Sequence, residues 1–282
     1  MADAVGLVLH PQIDAELPVI REARTLLQDE GLRVWVHCAR RDVEDALPES
    51  LAQARLLISI GGDGTLLWTA RQAAIHRVPV LGINNGRLGF LVPIPMNQLH
   101  SAIERWLRGD FQAQGRTLLR ALVDGKGEER LALNDVVVHK STITFNLIRI
   151  ELEVDGRRAG AFDADGAVVA TSTGSTGYSL SLGGPILRPD VQDLVFTPLN
   201  PHSLFNRPVV LPQTARISLG VPREPAVLTC DGQVTVALEA GSRVAIEVAP
   251  VRAELVRFQP EIDFFDLLRS KLRWGLPLID GD

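Results

Sequence analysis

Leu56-Leu57-Ile58-Ser59-Ile60-Gly61-Gly62-Asp63-Gly64-Thr65 is the stretch from which the rest of the chain can be read. Its apolar, β-branched start is too short for a helix and is closed by glycines, which makes it a buried strand of the parallel kind. Three glycines within four positions free the backbone to take positive φ and to approach a bound group, and the side chain set among them is a carboxylate, Asp63. Thr65 is expected to cap a helix over 66–76 whose N-terminal amides face the same crevice. Strand, glycine turn, acid and helix start together make a phosphate-handling arrangement. The spacing is neither G-x-G-x-x-G nor a Walker sequence, so a plain strand-to-helix turn with a solvated Asp63 stays open on local grounds.

The 282 residues are enough for two domains, and 46% hydrophobic with 22% charged residues is the composition of a globular protein. No apolar run approaches the ~18 residues that span a bilayer, and Met1-Ala2-Asp3-Ala4 lacks a basic segment followed by an apolar one. The expectation is a soluble cytoplasmic protein with no membrane partner. Cys38 and Cys230 lie far apart without metal-ligand spacing, as core thiols do in a reducing compartment. A net charge of −5 disfavours a nucleic-acid partner and requires an anionic substrate to be held by local amides and a few placed cations.

From the N-terminus the pattern predicts a strand over 4–9, a helix over 14–30 stopped by Gly31, a strand over 33–37, a weaker helix over 43–54 and the strand 56–60. After the glycine turn and its helix comes a strand over 78–83, a second glycine-bearing loop, Asn84-Asn85-Gly86-Arg87-Leu88-Gly89-Phe90, and a helix over 97–108. Such alternation implies a parallel sheet covered on both faces, with ligands bound off the carboxyl ends of its strands. Past about Gly115 the helical period fades. Strands are expected over 117–123, 131–138, 143–154, 167–170, 216–221, 226–230 and 243–248, separated by turn signals such as Asp124-Gly125, Asp155-Gly156 and Asp231-Gly232. A final helix over 262–274 is expected to pack back on the first domain. The fold class is therefore an α/β, Rossmann-like N-terminal domain (1–115 with 259–282) and an all-β, antiparallel sandwich-like C-terminal domain (116–258).

Several polar residues sit where a β core has no use for them. Asn134-Asp135 opens a strongly apolar strand, as a bulge or edge or as a pair aimed at a ligand hydroxyl or ring nitrogen. Asn146 falls on the buried side of the alternation over 145–154, with a ligand or a backbone group as its partner. Asp165 precedes a strand that runs into a loop rich in hydroxyls and glycines, 171–185, followed by a short helix from about Ser175 that holds the chain's only tyrosine, Tyr178. That loop suits a sugar or phosphate. Gln233 is added by its place after Asp231-Gly232, whereas His202 reads as structural. No serine-histidine-acid order or transition-metal ligand cluster is present in the sequence.

Four motifs in order make the chain similar to the NAD kinase family over nearly its whole length: Gly61-Gly62-Asp63-Gly64-Thr65, Asn84 to Leu91, Asn134-Asp135, and Asp165-Gly166 with 171–185. The first motif also resembles diacylglycerol-type lipid kinases and 6-phosphofructokinases; the long fourth motif with Asn-Asp selects the family. Ser172 stands where the family usually has proline, Gly177 where it has alanine, and Asp135 where it has glutamate. The resemblance implies transfer of the ATP γ-phosphoryl to the 2′-hydroxyl of the adenosine ribose of NAD, with Mg²⁺ on the nucleotide and a homodimer or homotetramer as the assembly. It implies Asp63 as the general base or positioning carboxylate, Gly61, Gly62, Gly64 and Thr65 around the phosphates, and Phe90, Asn134 and Asp135 at the adenosine. Asp165, Thr173, Thr176, Gly177, Tyr178, Ser179, Leu180 and Ser181 would line the ribose and nicotinamide side, Tyr178 as a stacking face. Asn146 and Gln233 join these by position more than by motif. A diacylglycerol-type lipid kinase and a non-catalytic NAD(P)-binding module are the alternatives.

Overall fold

The computed structural model describes residues 3–39, 49–86, 88–124, 127, 129–141, 146–204 and 206–276. Its first half runs β1 (Ala4–Leu9), α1 (Pro18–Asp29), β2 (Arg33–Cys38), β3 (Ala54–Gly61), α2 (Asp63–His76), β4 (Val80–Asn84), β5 (Ile94–Pro95) and α3 (Leu99–Leu107). Strands β2, β1, β3 and β4 lie side by side in parallel, with Leu7 beside Ile58 and Ile58 beside Leu81. Because strand side chains alternate, Leu56, Ile58 and Ile60 face one way and Leu57 the other. The first set packs with Ile20 and Leu27 of α1 and Leu99 and Ile103 of α3. Leu57 packs with Leu66, Ala70 and Ala73 of α2 on the opposite face.

The second half comprises β6 (Gln112–Val123), β7 (Glu129–Ala132), β8 (Asp135–Lys140), β9 (Ile148–Val154), β10 (Arg157–Ala164), β11 (Gly166–Ala170), α4 (Tyr178–Ser181), β12 (Leu194–Leu199), β13 (Val209–Leu211), β14 (Ile217–Val221), β15 (Ala226–Cys230), β16 (Val234–Leu238), β17 (Ser242–Arg257) and α5 (Phe264–Leu272). One sheet is antiparallel throughout, in the order β13-β12-β11-β8-β15-β16. Its inner side chains, Val136, Val138, Val169, Phe196 and Leu228, close a core with Ile150, Leu219 and Ile246 of β9, β14 and β17. That second layer continues the parallel sheet. β17 pairs antiparallel with β14 and β6 along most of its length and meets β4 in parallel where Leu255 lies beside Val80. After β17 the chain returns to the first half, where Arg105 of α3 donates to the Gln259 carbonyl at 2.9 Å and stacks over Phe258.

An α/β half joined to a sandwich-like β half, with a returning C-terminal helix, is the expected class; several boundaries differ. α1 begins at Pro18, because Asp14 instead closes a turn that takes the Glu16 and Leu17 amides. α2 starts at Asp63 with Gly62 as its N-cap, so Thr65 lies inside the helix and caps nothing. The expected helix over 43–54 falls mostly outside the described residues, and 49–53 form a 3₁₀ turn. β9 begins only at Ile148, residues 143–145 lying outside the description. β17 is 16 residues long rather than six, and β10, β12, β13 and β16 were not expected at all. β10 is polar, Pro198 interrupts the pattern of β12, and β13 is only three residues.

The sandwich also has no room for a methyl group at Gly166, in the centre of its antiparallel sheet, where a Cβ would stand 2.2 Å from the Val138 carbonyl. Gly166→Ala is therefore expected to lower unfolding stability by about 1–3 kcal/mol or more in chemical denaturation. A loss under about 0.5 kcal/mol would mean that the two strands separate freely at this point.

Candidate functional site

The glycine turn after β3 is tight for steric reasons. None of Gly61, Gly62 and Gly64 takes the positive φ expected from the sequence. A Cβ on Gly61 would lie 2.4 Å from Thr65 Oγ1, whereas one on Gly62 would meet nothing within 4 Å. Gly61 thus serves the packing of the helix start, and Gly62 leaves the open approach. Asp63, the first residue of α2, is half-buried, and its two oxygens accept the Phe90 and Leu91 amides at 2.9 and 3.1 Å. The second glycine loop is therefore folded around the carboxylate of the first. Gly89 permits this, since a Cβ there would fall 1.9 Å from Asp63 Oδ1. The Asn85 amide donates to the Gly61 carbonyl at 3.3 Å and ties the loops again; Arg87 lies outside the described residues. The two N–H donors leave lone pairs on both oxygens for a further donor.

Asn134-Asp135 is held by a group that sequence reasoning missed. The Asp231 carboxylate accepts the amides of Leu133, Asn134 and Asp135 at 2.9, 2.7 and 3.1 Å. Its fourth partner is Arg71 of α2, whose Nη1 lies 2.7 Å away, and both side chains are buried. Arg71 Nη2 donates to Gln233 Oε1 at 2.9 Å, and Gln233 Nε2 donates to the Gly64 carbonyl at 2.7 Å. A continuous chain of hydrogen bonds therefore runs from the turn of Asp63 to the strand of Asn134. Both ends of the Gln233 amide are occupied within it. The signal was legible in part, because Arg71 is the one charged residue between Leu66 and Ala74.

Around Asn134 the polar groups divide into satisfied and unsatisfied. Thr171 Oγ1 donates to the Leu133 carbonyl at 2.6 Å, and Ser175 Oγ donates to the Ser172 carbonyl at 2.7 Å and accepts the Leu187 amide at 3.0 Å. Thr176 Oγ1 donates to the Thr173 carbonyl at 3.3 Å. Ser179 is fully buried, its hydroxyl 3.0 Å from that of Thr197. These hydroxyls hold the turn. By contrast, Asn134 Oδ1 and Thr173 Oγ1 are buried with no protein partner. Both belong to one corner: a Cβ on Gly174 would strike the Asn134 carbonyl at 2.0 Å, and one on Gly177 would lie 3.5 Å from Asn134 Nδ2 and 3.8 Å from Asp135 Oδ2. Unpartnered buried polar atoms cost stability unless a ligand meets them.

Carboxylates mark both ends of β11, Asp135 beside Ala170 at one and Asp165 before Gly166 at the other. Burial, with the Asp231 charge beside it, pushes the Asp135 carboxyl up to about 7. Asp165 is ion-paired with Lys140 at 2.7 Å and accepts Asn200 Nδ2 at 3.0 Å, and these two hydrogen bonds hold its carboxyl below the usual range. The Tyr178 phenol is pushed up by burial and then by Asp165 and Asp135, while its ring is 42% exposed and free to stack. Leu180 is half-buried and Ser181 exposed. The expected helix from Ser175 is a 3₁₀ turn, Gly174–Thr176, followed by the four-residue α4, too short to carry a sizeable dipole. Asn146 does not lie on the buried face. It is exposed two residues before β9, whose inward alternation starts at Ile148. His202 is likewise exposed. Among the described residues no three His, Cys, Asp or Glu side chains gather to hold a metal ion.

The chain matches the family model of the ATP-NAD kinase N-terminal domain over residues 23–111 and that of the C-terminal domain over 133–258. It is 44% identical to a NAD kinase of Syntrophotalea carbinolica over 280 residues, 94% of this chain and 95% of that one. It is 42% identical to a NAD kinase of Geotalea daltonii over 254 residues, 88% of each. Among solved structures it superposes on yeast NADH kinase complexed with NADH with a TM-score of 0.85 at 22% identity, covering 100% of this chain and 90% of that one. It also superposes on a NAD kinase from Archaeoglobus fulgidus in complex with ATP with a TM-score of 0.73 at 23% identity, covering 91% and 94%.

Two outcomes are expected from the interior of this site. Arg71→Met leaves the Asp231 charge buried and unpaired and should cost about 3–5 kcal/mol in urea unfolding, whereas Arg71→Lys should cost less than half as much. Equal costs would show that the charge alone recovers nothing and that the two-point guanidinium geometry is what the position requires. Asp135 supplies the second test. A carboxyl whose folded value is raised binds its proton more tightly folded than unfolded, so stability falls as pH rises from 3.8 to about 7. Asp135→Asn should remove that slope, so that the variant gains on the parent by up to a few kcal/mol between about pH 5 and pH 8. Parallel stability curves would contradict this origin.

Proposed function

The chain belongs to the NAD kinase family, and from that premise we propose how its residues carry the family's phosphoryl transfer from ATP to NAD. Family membership sets aside the lipid-kinase alternative. The observation that carries the site assignment is the clasp on Asp63: both oxygens held by the amides of Phe90 and Leu91, on a helix tied through Gln233, Arg71 and Asp231 to Asn134 and Asp135.

Asp63 accepts a hydrogen bond from the 2′-hydroxyl of the adenosine ribose and orients its oxygen in line with the γ-phosphorus. As the new P–O bond forms and the bond to ADP breaks, the hydroxyl proton passes to the carboxylate. The two fixed N–H donors hold the Asp63 carboxylate in place, so its contribution is mainly positioning, with proton acceptance late in the transfer. The donor's phosphates approach on the open side of Gly62, beside Gly61, Gly64 and Thr65, where the first amides of α2 point outward. Mg²⁺ would be held by those phosphates more than by the protein, since no three His, Cys, Asp or Glu side chains gather among the described residues, and would offset the phosphate charge. Asn134 Oδ1, Thr173 Oγ1 and Asp135 take the polar edge of the adenosine, Phe90 flanks it, and Tyr178 stacks beside Asp165 and the 176–181 segment. Asn146 reaches the ligand from its exposed strand entry. Gln233 acts through the Gly64 carbonyl it holds, and Ser179 by anchoring the short α4 to the Thr197 hydroxyl.

Residues 1–115 with 259–282 form the nucleotide-binding part and 116–258 the NAD-binding part, joined by β6, which runs across the first limit, and by β17, which pairs with β4 of the first part. The assembly is a homodimer or homotetramer; the exposed Phe265, Leu272 and Trp274 on the C-terminal segment support an apolar contact between subunits. The protein works in the cytoplasm, in keeping with the free thiols of Cys38 and Cys230.

Purified protein given NAD, ATP and Mg²⁺ is expected to yield NADP, read by a dehydrogenase blind to NAD. Asp63→Asn should lower that turnover by roughly two orders of magnitude or more while calorimetry still records NAD binding. Undiminished turnover in the variant would take Asp63 out of the reaction.

A further inference from the structure

Beyond the site of phosphoryl transfer lies a cavity of about 630 Å³, bounded by α3, the segment 90–94, the start of β6, the 188–190 turn, the end of β17 and α5. Two of its wall residues are arginines that the reaction does not use, Arg116 and Arg257, 6% and 8% exposed. Among the described residues neither makes an ion pair. Arg116 Nη2 donates to Gln114 Oε1 at 2.6 Å, and Arg257 Nε donates to the same oxygen at 3.3 Å. The remaining partners of Arg257 are the carbonyls of Val256 and Leu91, at 3.5 and 3.3 Å. Arg116 Nε is buried with no partner. Two guanidinium groups are thus withdrawn from water around one neutral amide oxygen.

A buried cation without a counter-charge is costly, and a pair of them more so. Burial, and then the charge of Arg257, pushes Arg116 down to about 9; burial lowers Arg257 as well. Of the nearby carboxylates, Asp190 is already forked by Arg188 at 3.0 Å, and Glu261 is exposed. Arg105 and Arg188 add positive charge to the lining, while Phe258 and Phe264 supply apolar wall. Guanidinium forks match oxyanions in two-point contact. A single carboxylate has two oxygens and fills one fork, whereas a phosphate has enough to face both.

We propose that this cavity binds a phosphate-bearing small molecule, its phosphate oxygens taken by the forks of Arg116 and Arg257. The occupant would sit directly behind the catalytic loop, since Arg257 holds the carbonyl of Leu91 while the amide of Leu91 holds Asp63. The site therefore couples, through the backbone of the single residue Leu91, to the carboxylate that positions the acceptor.

Binding, not turnover, is the readout, so the test stands apart from the assignment of the reaction. Inorganic pyrophosphate titrated into the full chain by calorimetry, without NAD, should bind, and Arg116→Gln, checked for folding by its melting curve, should bind at least tenfold more weakly. Unchanged affinity in that variant would place the anion at the glycine turn and overturn the proposal. Citrate, titrated in parallel, distinguishes a carboxylate ligand; citrate binding more tightly than pyrophosphate would overturn the phosphate class. Should Arg116→Gln fail to fold, crystals of the unaltered protein soaked in tungstate decide: an anomalous peak between the two guanidiniums is expected, and its absence would overturn the site.

Discussion

A carboxylate with four donors in the interior, Asp231, is the constraint on which the working geometry rests. Ion pairs withdrawn from water often do little for stability, because desolvation offsets the Coulomb term. Here three backbone amides share the carboxylate with Arg71, so the pair acts as a clamp on direction. Arg71 lies eight residues after Asp63 on one unbroken helix, about 12 Å along its axis at the usual rise. The helix therefore acts as a gauge: one end presents the acid, and the other pins the strand that opens with Asn134. Gln233 closes the figure by returning to the Gly64 carbonyl.

The hydroxyl-rich loop shows how a fold sorts equivalent chemistry. Thr171 and Ser175 turn their oxygens inward to carbonyls and Ser179 to the Thr197 hydroxyl, and in doing so they fix the turn that leaves Thr173 Oγ1 and Asn134 Oδ1 without partners. The two vacancies are thus produced by the satisfied neighbours.

Much of this was legible in the sequence. The parallel strands declared themselves as continuous apolar runs, because both of their faces are covered, and Asn134-Asp135 stood out because a buried acid has a price. The edges were harder. β10 carries Arg157 and Arg158 at its exposed start and shows little alternation, and β13 has only three residues, so period-based reading has nothing to count. The start of α2 was misjudged because Thr65 is the better capping residue in isolation, whereas Gly62 takes that position so that Asp63 can enter the helix and reach the Phe90 amide. The pairing of Arg71 with Asp231, 160 residues apart, is a tertiary fact with only a local trace, the lone cation in an apolar helix. The placement of Asn146 on the buried face went astray for a related reason: alternation extrapolates one pleat too far when a strand begins late.

β17 has a mechanical meaning as well. Many two-part enzymes join their halves through linkers that bend at a few dihedral angles. Here a single strand belongs to both halves, laddered to β6 and β14 at one end and to β6 and β4 at the other. Twisting one half against the other would shear backbone hydrogen bonds in register, so the two behave as one elastic plate. The plate has a crease, the register shift between Val248 and Arg252. Any opening and closing around a nucleotide would have to be flexure about that crease, with amplitude limited by how far a ladder can bow before its rungs part.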